Sequence, residues 1–328
     1  MYEHKYHSED LSELSFLVTG GGGFIGSNIV EYLLKYGAKK VRVLDDFSNG
    51  HRENLLEFHN NPSFELIEGD IRDLNTCKEA MKGIDYVTHQ AALGSVPRSI
   101  NDPATTNAVN ISGFLNMMIA LKDSSSVKRM IYAASSSTYG DSLELPKVED
   151  RIGKPLSPYA VTKYVNELYA DVFGKTYNTD VIGLRYFNVF GPKQSPDGAY
   201  AAVIPLFMQA LKDKSSPKIN GDGEQTRDFT FVDNAVQANI KGFFASEDAK
   251  NEVFNVACGE RISINYLWNS LKDSANSDIE AIYGPPRLGD VRDSLANISK
   301  AEKLLGYKPQ FTVREGLQVT WDYFKNRH

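Results

Sequence analysis

Residues 16–34 of this chain read Phe16-Leu-Val-Thr19-Gly20-Gly-Gly-Gly23-Phe-Ile-Gly26-Ser-Asn-Ile-Val-Glu-Tyr-Leu-Leu34. A run of four strand-forming residues is followed by spaced glycines and then by the apolar spacing of a helix. Glycines in this context allow a tight turn, and they let a pyrophosphate approach backbone N–H groups at the N-terminus of the helix. The stretch therefore predicts a strand, a turn and a helix that bind the phosphates of a dinucleotide.

Short apolar runs alternate with longer helical patterns from the start of the chain to Arg185. Besides Phe16–Thr19, the runs are Val41–Leu44, Phe64–Ile67, Asp85–Thr88, Met130–Ala133 and Val181–Leu184. Strands separated by amphipathic helices pair in parallel, which predicts an α/β fold with a doubly wound parallel sheet of the Rossmann type. Residues 186–328 contain Gly- and Pro-rich pieces between short helices, so we predict a smaller, loop-rich C-terminal substrate domain there.

The composition is that of a globular chain whose partners do not include nucleic acid. Hydrophobic residues make up 41% of the 328 residues and charged residues 24%, and the formal net charge is -6 with no basic block. The polar start and the lack of an apolar stretch long enough to span a bilayer predict a cytoplasmic protein without a membrane partner. The six histidines form no metal-ligand spacing, and two cysteines suit a reducing compartment.

A carboxylate at the end of the second predicted strand indicates which dinucleotide is bound. Asp45 follows the last glycine of the motif, Gly26, at the separation where a carboxylate accepts hydrogen bonds from the adenosine ribose. Because an acid there repels the extra phosphate of NADP, the sequence favours NAD. The adjacent Asp46 could share or exchange this role.

The segment Ser157-Pro-Tyr159-Ala-Val-Thr-Lys163 predicts the chemical site. Ser157 and a following proline are typical of a helix N-cap and first helical position, so Tyr159 and Lys163 stack one turn apart on one face. A second Tyr-x-x-x-Lys, at residues 36–40, contains a glycine and runs into the second predicted strand, so its Tyr and Lys side chains need not share a face. This copy serves as a control, because it has the same pattern without the helix that the site requires. Lys163 and a nicotinamide cation would lower the pKa of Tyr159 and make it a general base.

A cluster of hydroxyl side chains follows the fifth predicted strand, at residues 135–139. Doubly wound sheets bind ligands at this edge, so one of these hydroxyls can bridge Tyr159 and a reacting sugar oxygen. The segment contains no acid to protonate a departing hydroxyl, which weighs against dehydratase chemistry.

These residues belong to a longer series of ordered motifs that resembles extended short-chain dehydrogenases/reductases, and closely UDP-N-acetylglucosamine 4-epimerases. The motifs are GGGGFIG, LDDFSNG, GDIRD, HQAALGSVPRS, SSSTYG, SPYAVTK, RYFNVFGP, INGDGEQTRDF and PPRLGDVRDSLANIS. The resemblance implies an NAD-binding domain at residues 1–185 and a nucleotide-sugar-binding domain at 186–328. It also implies a homodimer formed through the helices of residues 104–122 and 158–176.

The resemblance implies a role for individual residues. The catalytic residues would be Ser135, Tyr159 and Lys163. Contacts to NAD would come from Gly20, Gly23, Phe24, Ile25, Asp45, Asp70, Ile71, Gln90, Ala91, Asn110, Tyr159, Lys163 and Tyr186, with Asn110 supporting the active-site backbone. Contacts to the UDP-sugar would come from Gly94, Ser95, Ser135, Ser136, Asn188, Ala202, Val203, Arg227, Arg287, Asp290 and Ser294.

The small Ser294 occupies a position that, in enzymes of this kind, resembles a gate beside the hexose ring. A small residue leaves volume for an N-acetyl group, so the sequence favours reversible C4 epimerisation of UDP-N-acetylglucosamine and UDP-N-acetylgalactosamine through a transient 4-keto sugar. Pocket volume depends on other positions too, including residues 201 and 202. A 4-epimerase of UDP-glucose or of UDP-uronic acids, and a non-catalytic protein that binds NAD or nucleotide sugars, remain the alternatives.

Overall fold

The candidate site is positioned by a parallel sheet, and the computed structural model describes residues 2–196, 202–286 and 292–326. In chain order the strands are β1 Ser15–Thr19, β2 Lys40–Asp45, β3 Phe64–Glu68, β4 Tyr86–His89, β5 Arg129–Ser135, β6 Val181–Tyr186, β7 Val189–Phe190, β8 Lys218–Asn220, β9 Thr226–Arg227, β10 Thr230–Phe231, β11 Val253–Val256, β12 Ile262–Ser263 and β13 Ile282–Gly284.

The helices alternate with these strands. They are α1 Phe24–Lys35, α2 Leu74–Met81, α3 Val96–Asn101, α4 Pro103–Asn107, α5 Phe114–Asp123, α6 Pro158–Tyr177, α7 Val203–Lys212, α8 Val232–Phe243, α9 Ile264–Ala275, α10 Ser299–Leu305 and α11 Val313–Lys325. Short 3-10 helices span Leu11–Glu13, Arg52–Asn54, Leu56–Phe58, Ser136–Tyr139 and Glu247–Ala249, and a π-helical turn, Ala108–Gly113, joins α4 to α5. No helix in the described ranges is long and apolar enough to cross a membrane.

The main sheet has seven strands in the order β3-β2-β1-β4-β5-β6-β11, and all neighbours run parallel. The strand order reverses between β1 and β4, because β1 pairs with both β2 and β4. In such sheets the crevice at the carboxyl ends of the strands, at the point of reversal, is where ligands bind. The predicted α/β class is confirmed, and the six predicted strands occur within two residues of their expected bounds.

Helices cover both faces of the sheet. On one face α1 and α8 pack on β1, β2 and β6, with Ile29, Leu33 and Val236 among the buried side chains. On the other face α2, α5 and α6 pack through Met117 and Phe173, among others. Burial on both faces explains why these strands are apolar at almost every position.

The sheet does not end at residue 185, because the strand at its edge, β11, comes from the second part of the chain. β11 pairs with β6, and α8 packs against β5 and β6. The prediction that the sheet is complete by residue 185 is therefore wrong, because β11 is its seventh strand. The strand was missed because four residues in a loop-rich context give too short an apolar run to predict one. A third core cluster, formed by α7, α9 and α11, lies within residues 186–328. The division of the chain into two domains stays a prediction.

We expect that Ser157→Ala lowers the free energy of unfolding by about 1 kcal/mol, because Ser157 caps the N-terminus of α6. Its Oγ accepts a hydrogen bond of 3.1 Å from the amide of Ala160. Denaturant-induced unfolding measures the change. Ser125→Ala is the matched control, because the side chain of this exposed loop serine makes no hydrogen bond within the described ranges. An equal effect of both substitutions would contradict the capping role.

Candidate active site

A groove along the carboxyl ends of β1, β4, β5 and β6 consists of three adjoining cavities. We call them the first, second and third cavity, and their volumes are about 80, 450 and 530 Å³. Gly20, Gly23 and Gln90 line both the first and the second cavity, while Ser135 and Asn188 line both the second and the third. One elongated ligand, or two ligands end to end, can therefore extend through the groove.

The glycine-rich turn between β1 and α1 forms the wall shared by the first two cavities. A Cβ atom on Gly20, whose φ is +68°, would lie 2.6 Å from the amide nitrogen of Ala91, and one on Gly26 would clash with the carbonyl oxygen of Gly20. Gly23 is the N-cap residue of α1. Because glycine has no side chain to accept hydrogen bonds from the first amides of the helix, these amides are open to a ligand. Only glycines allow this close turn, and the open amides fit a pyrophosphate. Phe24 and Ile25 line the second cavity beside them.

The carboxylate of Asp45 lies in the first cavity, at the end of β2. Its oxygens accept hydrogen bonds of 2.8 Å each from the amides of Gly22 and Phe47. Burial raises the pKa of Asp45, and the two backbone hydrogen bonds oppose that shift. The carboxylate is thus held in a fixed orientation, as recognition of a ribose requires. Asp70 and Ile71 line the same cavity, where Arg72 lowers the pKa of Asp70 by hydrogen bonding.

Polar side chains from distant parts of the chain meet beside the second cavity. Gln90 and Tyr186 line this cavity, and the Tyr186 hydroxyl accepts a hydrogen bond of 2.7 Å from Nδ2 of Asn239. Gln90 donates to Oγ1 of Thr88 at 2.8 Å and to Oδ1 of Asn239 at 3.2 Å. Burial raises the pKa of Tyr186 to about 12, so this phenol stays neutral. Ala91, the neighbour of Gln90, lines the first cavity.

Asn110 does not line any of the three cavities, and its predicted contact to the cofactor stays a prediction. Its side chain accepts a hydrogen bond of 2.8 Å from the amide of Leu93 and donates to the carbonyl of Leu93 and to Thr162. The π-helical turn Ala108–Gly113 carries Asn110, which is buried. These contacts hold the loop after β4 in place.

The structure brings Tyr159 and Lys163 together on the wall of the second cavity. The Lys163 ammonium lies 6.0 Å from the centre of the Tyr159 ring and donates a hydrogen bond of 2.8 Å to the carbonyl of Ala133. Burial lowers the pKa of Lys163 to about 8. The cation is therefore held by β5 and can be discharged near neutral pH.

Ser135 and Tyr159 both line the second cavity, and Ser135 lies close enough to the phenol to act on its pKa. Burial raises the pKa of Tyr159 above its usual value, and the effect of Ser135 opposes the shift only in part. The expected lowering of this pKa depends on Lys163 together with a nicotinamide cation and stays a prediction, and the Lys163 ammonium is held beside the phenol by the Ala133 carbonyl. Ser137 also donates to the Ser135 hydroxyl, through its amide at 3.1 Å and its Oγ at 2.9 Å.

The predicted sugar-nucleotide contacts fall into three groups. Those that line the second or third cavity are Gly94, Ser135, Ser136, Asn188, Arg227 and Ser294. Ser95, Ala202 and Val203 do not line the groove: the Ser95 hydroxyl caps α3 by accepting a hydrogen bond from the amide of Arg98, while the other two begin α7. Arg287 and Asp290 lie outside the described residues, as does residue 201, on which pocket volume also depends.

Sequence reasoning missed several residues that complete the site. The Ser99 hydroxyl accepts a hydrogen bond of 3.0 Å from the amide of Tyr159, which joins α3 to the start of α6. Asn49 lines the first and second cavities and accepts a hydrogen bond from Arg98. Asn49 lies in the motif LDDFSNG and Ser99 in the motif HQAALGSVPRS, so the motifs could have indicated both residues. Ile100 and Leu156 form an exposed apolar rim of the third cavity, which no local pattern indicates.

Known proteins share the sequence pattern and the fold of this chain. The sequence profile of the NAD dependent epimerase/dehydratase family matches residues 16–257. A UDP-glucose 4-epimerase from Mycolicibacterium smegmatis is 36% identical over 313 residues, which cover 95% of this chain and 98% of that protein.

Two solved structures have the same fold over nearly the whole chain. A UDP-N-acetylglucosamine 4-epimerase from Methanobrevibacter ruminantium, in complex with UDP-N-acetylmuramic acid, has a TM-score of 0.89 at 40% identity and covers 95% of this chain and 98% of its own. A UDP-glucuronic acid 4-epimerase from Bacillus cereus, in complex with UDP-glucuronic acid and NAD, has a TM-score of 0.87 at 30% identity, with coverage of 95% and 99%. The chain therefore belongs to the NAD dependent epimerase/dehydratase family, and its cofactor is NAD.

Proposed function

We propose that this chain is a 4-epimerase that interconverts UDP-N-acetylglucosamine and UDP-N-acetylgalactosamine. UDP-sugar 4-epimerisation is the activity in the names of the relatives described above. The observation that carries the proposal is the meeting of Tyr159, Lys163 and Ser135 on the wall of the second cavity, directly beside a third cavity that Ser294 lines. Tyr159, Lys163 and Ser135 supply the acid–base chemistry, and the third cavity supplies room for the N-acetyl group.

The three residues divide the proton chemistry among them. NAD held by the glycine-rich turn and Asp45 would supply the acceptor for a hydride from C4 of the sugar and then its donor to the opposite face of that carbon. Tyr159, as phenolate, removes the proton from O4 and later gives it back, so that no net oxidation results. Ser135 holds the phenolic oxygen toward the sugar, while Lys163 provides the positive charge that favours the phenolate.

The absence of acids supports epimerisation over dehydration. None of the described residues that line the second and third cavities is Asp or Glu. A dehydratase needs a carboxylic acid or an equivalent group to protonate the departing hydroxyl. The cavities instead offer hydroxyl and amide groups, which suit a sugar that keeps all its hydroxyls.

The diphosphate of the substrate needs local positive charge, because the protein as a whole is acidic. We propose Arg227, which lines the third cavity, as one such contact. One of its guanidinium nitrogens, Nη1, donates to the carbonyls of Thr226 and Arg292 at 2.8 and 3.1 Å, which orients the side chain. Asn188 would contact the diphosphate as well, Ser136 and Gly94 would contact the sugar, and Arg287 and Asp290 remain proposed contacts from the sequence alone.

A second candidate, a 4-epimerase of UDP-uronic acids, is favoured by one observation. Lys147 lines the third cavity, is almost fully buried and donates a hydrogen bond to the carbonyl of Ser142. Burial lowers the pKa of Lys147, and a buried ammonium is stabilised by a carboxylate partner. No carboxylate forms an ion pair with it within the described ranges, so a uronate could supply one.

The proposed homodimer has a matching surface on α6. Val161, Leu168 and Val172 are 46, 48 and 52% exposed and lie along one side of the helix. Such an apolar stripe is typical of a helix that packs against another helix. We propose that it packs against the same helix of a second copy.

We expect that Tyr159→Phe lowers kcat on UDP-N-acetylglucosamine by at least about 100-fold, because it removes the general base. Binding of UDP and retention of NAD should change little, since the ring remains. Proton NMR of the C4 configuration, without added cofactor, measures turnover. Tyr164→Phe, five residues further along α6, is the control and should retain activity. Unchanged turnover by Tyr159→Phe would refute the mechanism, and nucleotide-sugar binding without turnover by the wild type would favour a non-catalytic binding protein.

The pH profile of turnover should depend on Lys163. Loss of a nearby positive charge disfavours the phenolate, so Lys163→Met raises the pKa of Tyr159 further and moves the acidic limb of the kcat profile to higher pH by about one unit or more. Steady-state kinetics between pH 6 and 10 provide the measurement. Lys175→Met, at the exposed end of the same helix, should leave the profile unchanged. A uniform loss of activity at every pH would instead indicate a structural role for Lys163.

Substrate preference should depend on the size of residue 294. The wild type should prefer UDP-N-acetylglucosamine to UDP-glucose and UDP-glucuronate by more than tenfold in kcat/KM, equivalent to about 1.4 kcal/mol. Ser294→Tyr should lower kcat/KM for the N-acetylated sugar by about tenfold or more, with a smaller effect on UDP-glucose, which serves as the internal control. A wild-type preference for UDP-glucuronate would favour the second candidate.

A further inference from the structure

A buried carboxylate, Asp228, has no role in the proton chemistry proposed for Tyr159. It is 0% exposed and lines none of the three cavities. It follows Arg227, which does line the third cavity, and it lies between the short strands β9 and β10. Burial of a carboxylate is costly, because a full charge loses its hydration. The presence of Asp228 at this place therefore requires an explanation from its contacts.

The carboxylate of Asp228 accepts hydrogen bonds from three backbone amides. Its Oδ1 accepts one from Cys258 at 3.0 Å, and its Oδ2 accepts one from Gly259 at 3.2 Å and one from Ala296 at 3.1 Å. Burial raises the pKa of Asp228 to about 7, and hydrogen bonds from backbone amides oppose the shift. Within the described ranges, this side chain is thus held by amides rather than by a cation, and it joins three separate stretches of the chain.

One of these stretches lies beside the chain that precedes Asp228. The amide of Ser294 donates a hydrogen bond of 3.1 Å to the carbonyl of Thr226, and the amide of Ala296, two residues further, donates to the Asp228 carboxylate. The side chain of Asp228 therefore continues a ladder of hydrogen bonds that backbone groups begin. Ser294 and Arg227, which both line the third cavity, lie within this ladder.

Two further residues that line the third cavity are tied to the same ladder. The side chain of Asn188 donates a hydrogen bond of 2.9 Å from Nδ2 to the backbone carbonyl of Asp228. The amide of Lys147 donates to the carbonyl of Leu295 at 2.7 Å, and the carbonyl of Lys147 accepts from the amide of Asn297 at 2.9 Å. Four polar lining residues from four parts of the chain are thus connected to the backbone that Asp228 holds.

We propose that Asp228 is a positioning residue that fixes the polar wall of the third cavity, so that Arg227 and Asn188 face the diphosphate of the nucleotide sugar. Asp228 acts through the backbone that carries these residues and contacts no ligand. Hydrogen bonds to a carboxylate are stronger than those to a neutral acceptor, which explains why a charged group holds this junction. The inference rests on the proposed function only in placing the UDP part of the substrate in the third cavity.

Calorimetric titration of the NAD-loaded protein with UDP tests the proposal, since UDP carries the diphosphate without the sugar. Asp228→Asn should raise the Kd of UDP about tenfold or more, because the NH2 group that replaces one carboxylate oxygen would face a backbone N–H. Asp228→Ala should raise the Kd further, since all three hydrogen bonds are lost. The KM for UDP-N-acetylglucosamine should rise with the Kd, while kcat stays within about threefold of the wild-type value, because Tyr159 and Lys163 belong to α6.

Asp233→Asn is the matched control, because Asp233 is an aspartate that is 1% exposed, lines none of the three cavities and has a pKa that burial raises to about 6. This substitution should lower the Tm and leave the Kd of UDP unchanged. Thermal unfolding checks that each variant is folded, and Asp228→Asn, which keeps the shape of the side chain, decides the outcome if Asp228→Ala does not fold.

An unchanged Kd in folded Asp228→Asn, or an equal rise in Asp233→Asn, would overturn the positioning role. A lower kcat at constant KM and Kd would overturn it as well, since that result indicates only a smaller folded fraction. Binding of UDP by the wild type without turnover of any UDP-sugar would contradict the proposed epimerase alone, because the comparison of Kd values then still decides the role of Asp228. Absence of UDP binding by the wild type would overturn both proposals.

Discussion

The hydrogen bond from the Lys163 ammonium to the carbonyl of Ala133 is the constraint on which the candidate site depends. An ammonium that is buried loses its hydration, and the lowered pKa of Lys163 reflects that cost. The bond compensates part of the loss and fixes α6 against β5. Since side chains two residues apart share one face of a strand, the same contact places Ser135 opposite Tyr159, one helical turn before Lys163. A shift of α6 along β5 would therefore separate the phenol of Tyr159 from Ser135, although neither residue is substituted.

A second set of polar contacts fixes the opposite side of the groove. Hydrogen bonds of 2.7–3.2 Å join four side chains: Thr88 and Gln90 at the end of β4, Tyr186 from β6 and Asn239 from α8. Because each of these side chains has a partner, the network can be buried without a large penalty. It also ties a helix from the second part of the chain to the sheet beside the cofactor groove. The floor of the second cavity is therefore as fixed as its wall.

Local patterns explain what could be predicted from the sequence. Buried parallel strands are apolar on both faces, so β1 to β6 were recognisable, and the spacing of Tyr159 and Lys163 on one helix face is a local property as well. β11 was not recognisable, because it has only four residues and includes Asn255, whose side chain bonds Tyr139 and the carbonyls of distant residues. The direction of the pKa shift of Tyr159 depends on its burial and on its proximity to Ser135. Both are tertiary properties, and no spacing rule contains them.

The position of β11 at the edge of the sheet has a consequence for the order of folding. Its partner β6 ends at Tyr186, whereas β11 begins only at Val253, and the intervening chain includes α7 and α8. During synthesis the first six strands leave the ribosome with one edge open, and that edge closes only after Val256 has emerged. Closing so long a loop costs little additional entropy, but pairing across it is slow. In the interval β6 presents unpaired backbone groups, which makes the nascent chain most prone to association with another chain at this edge.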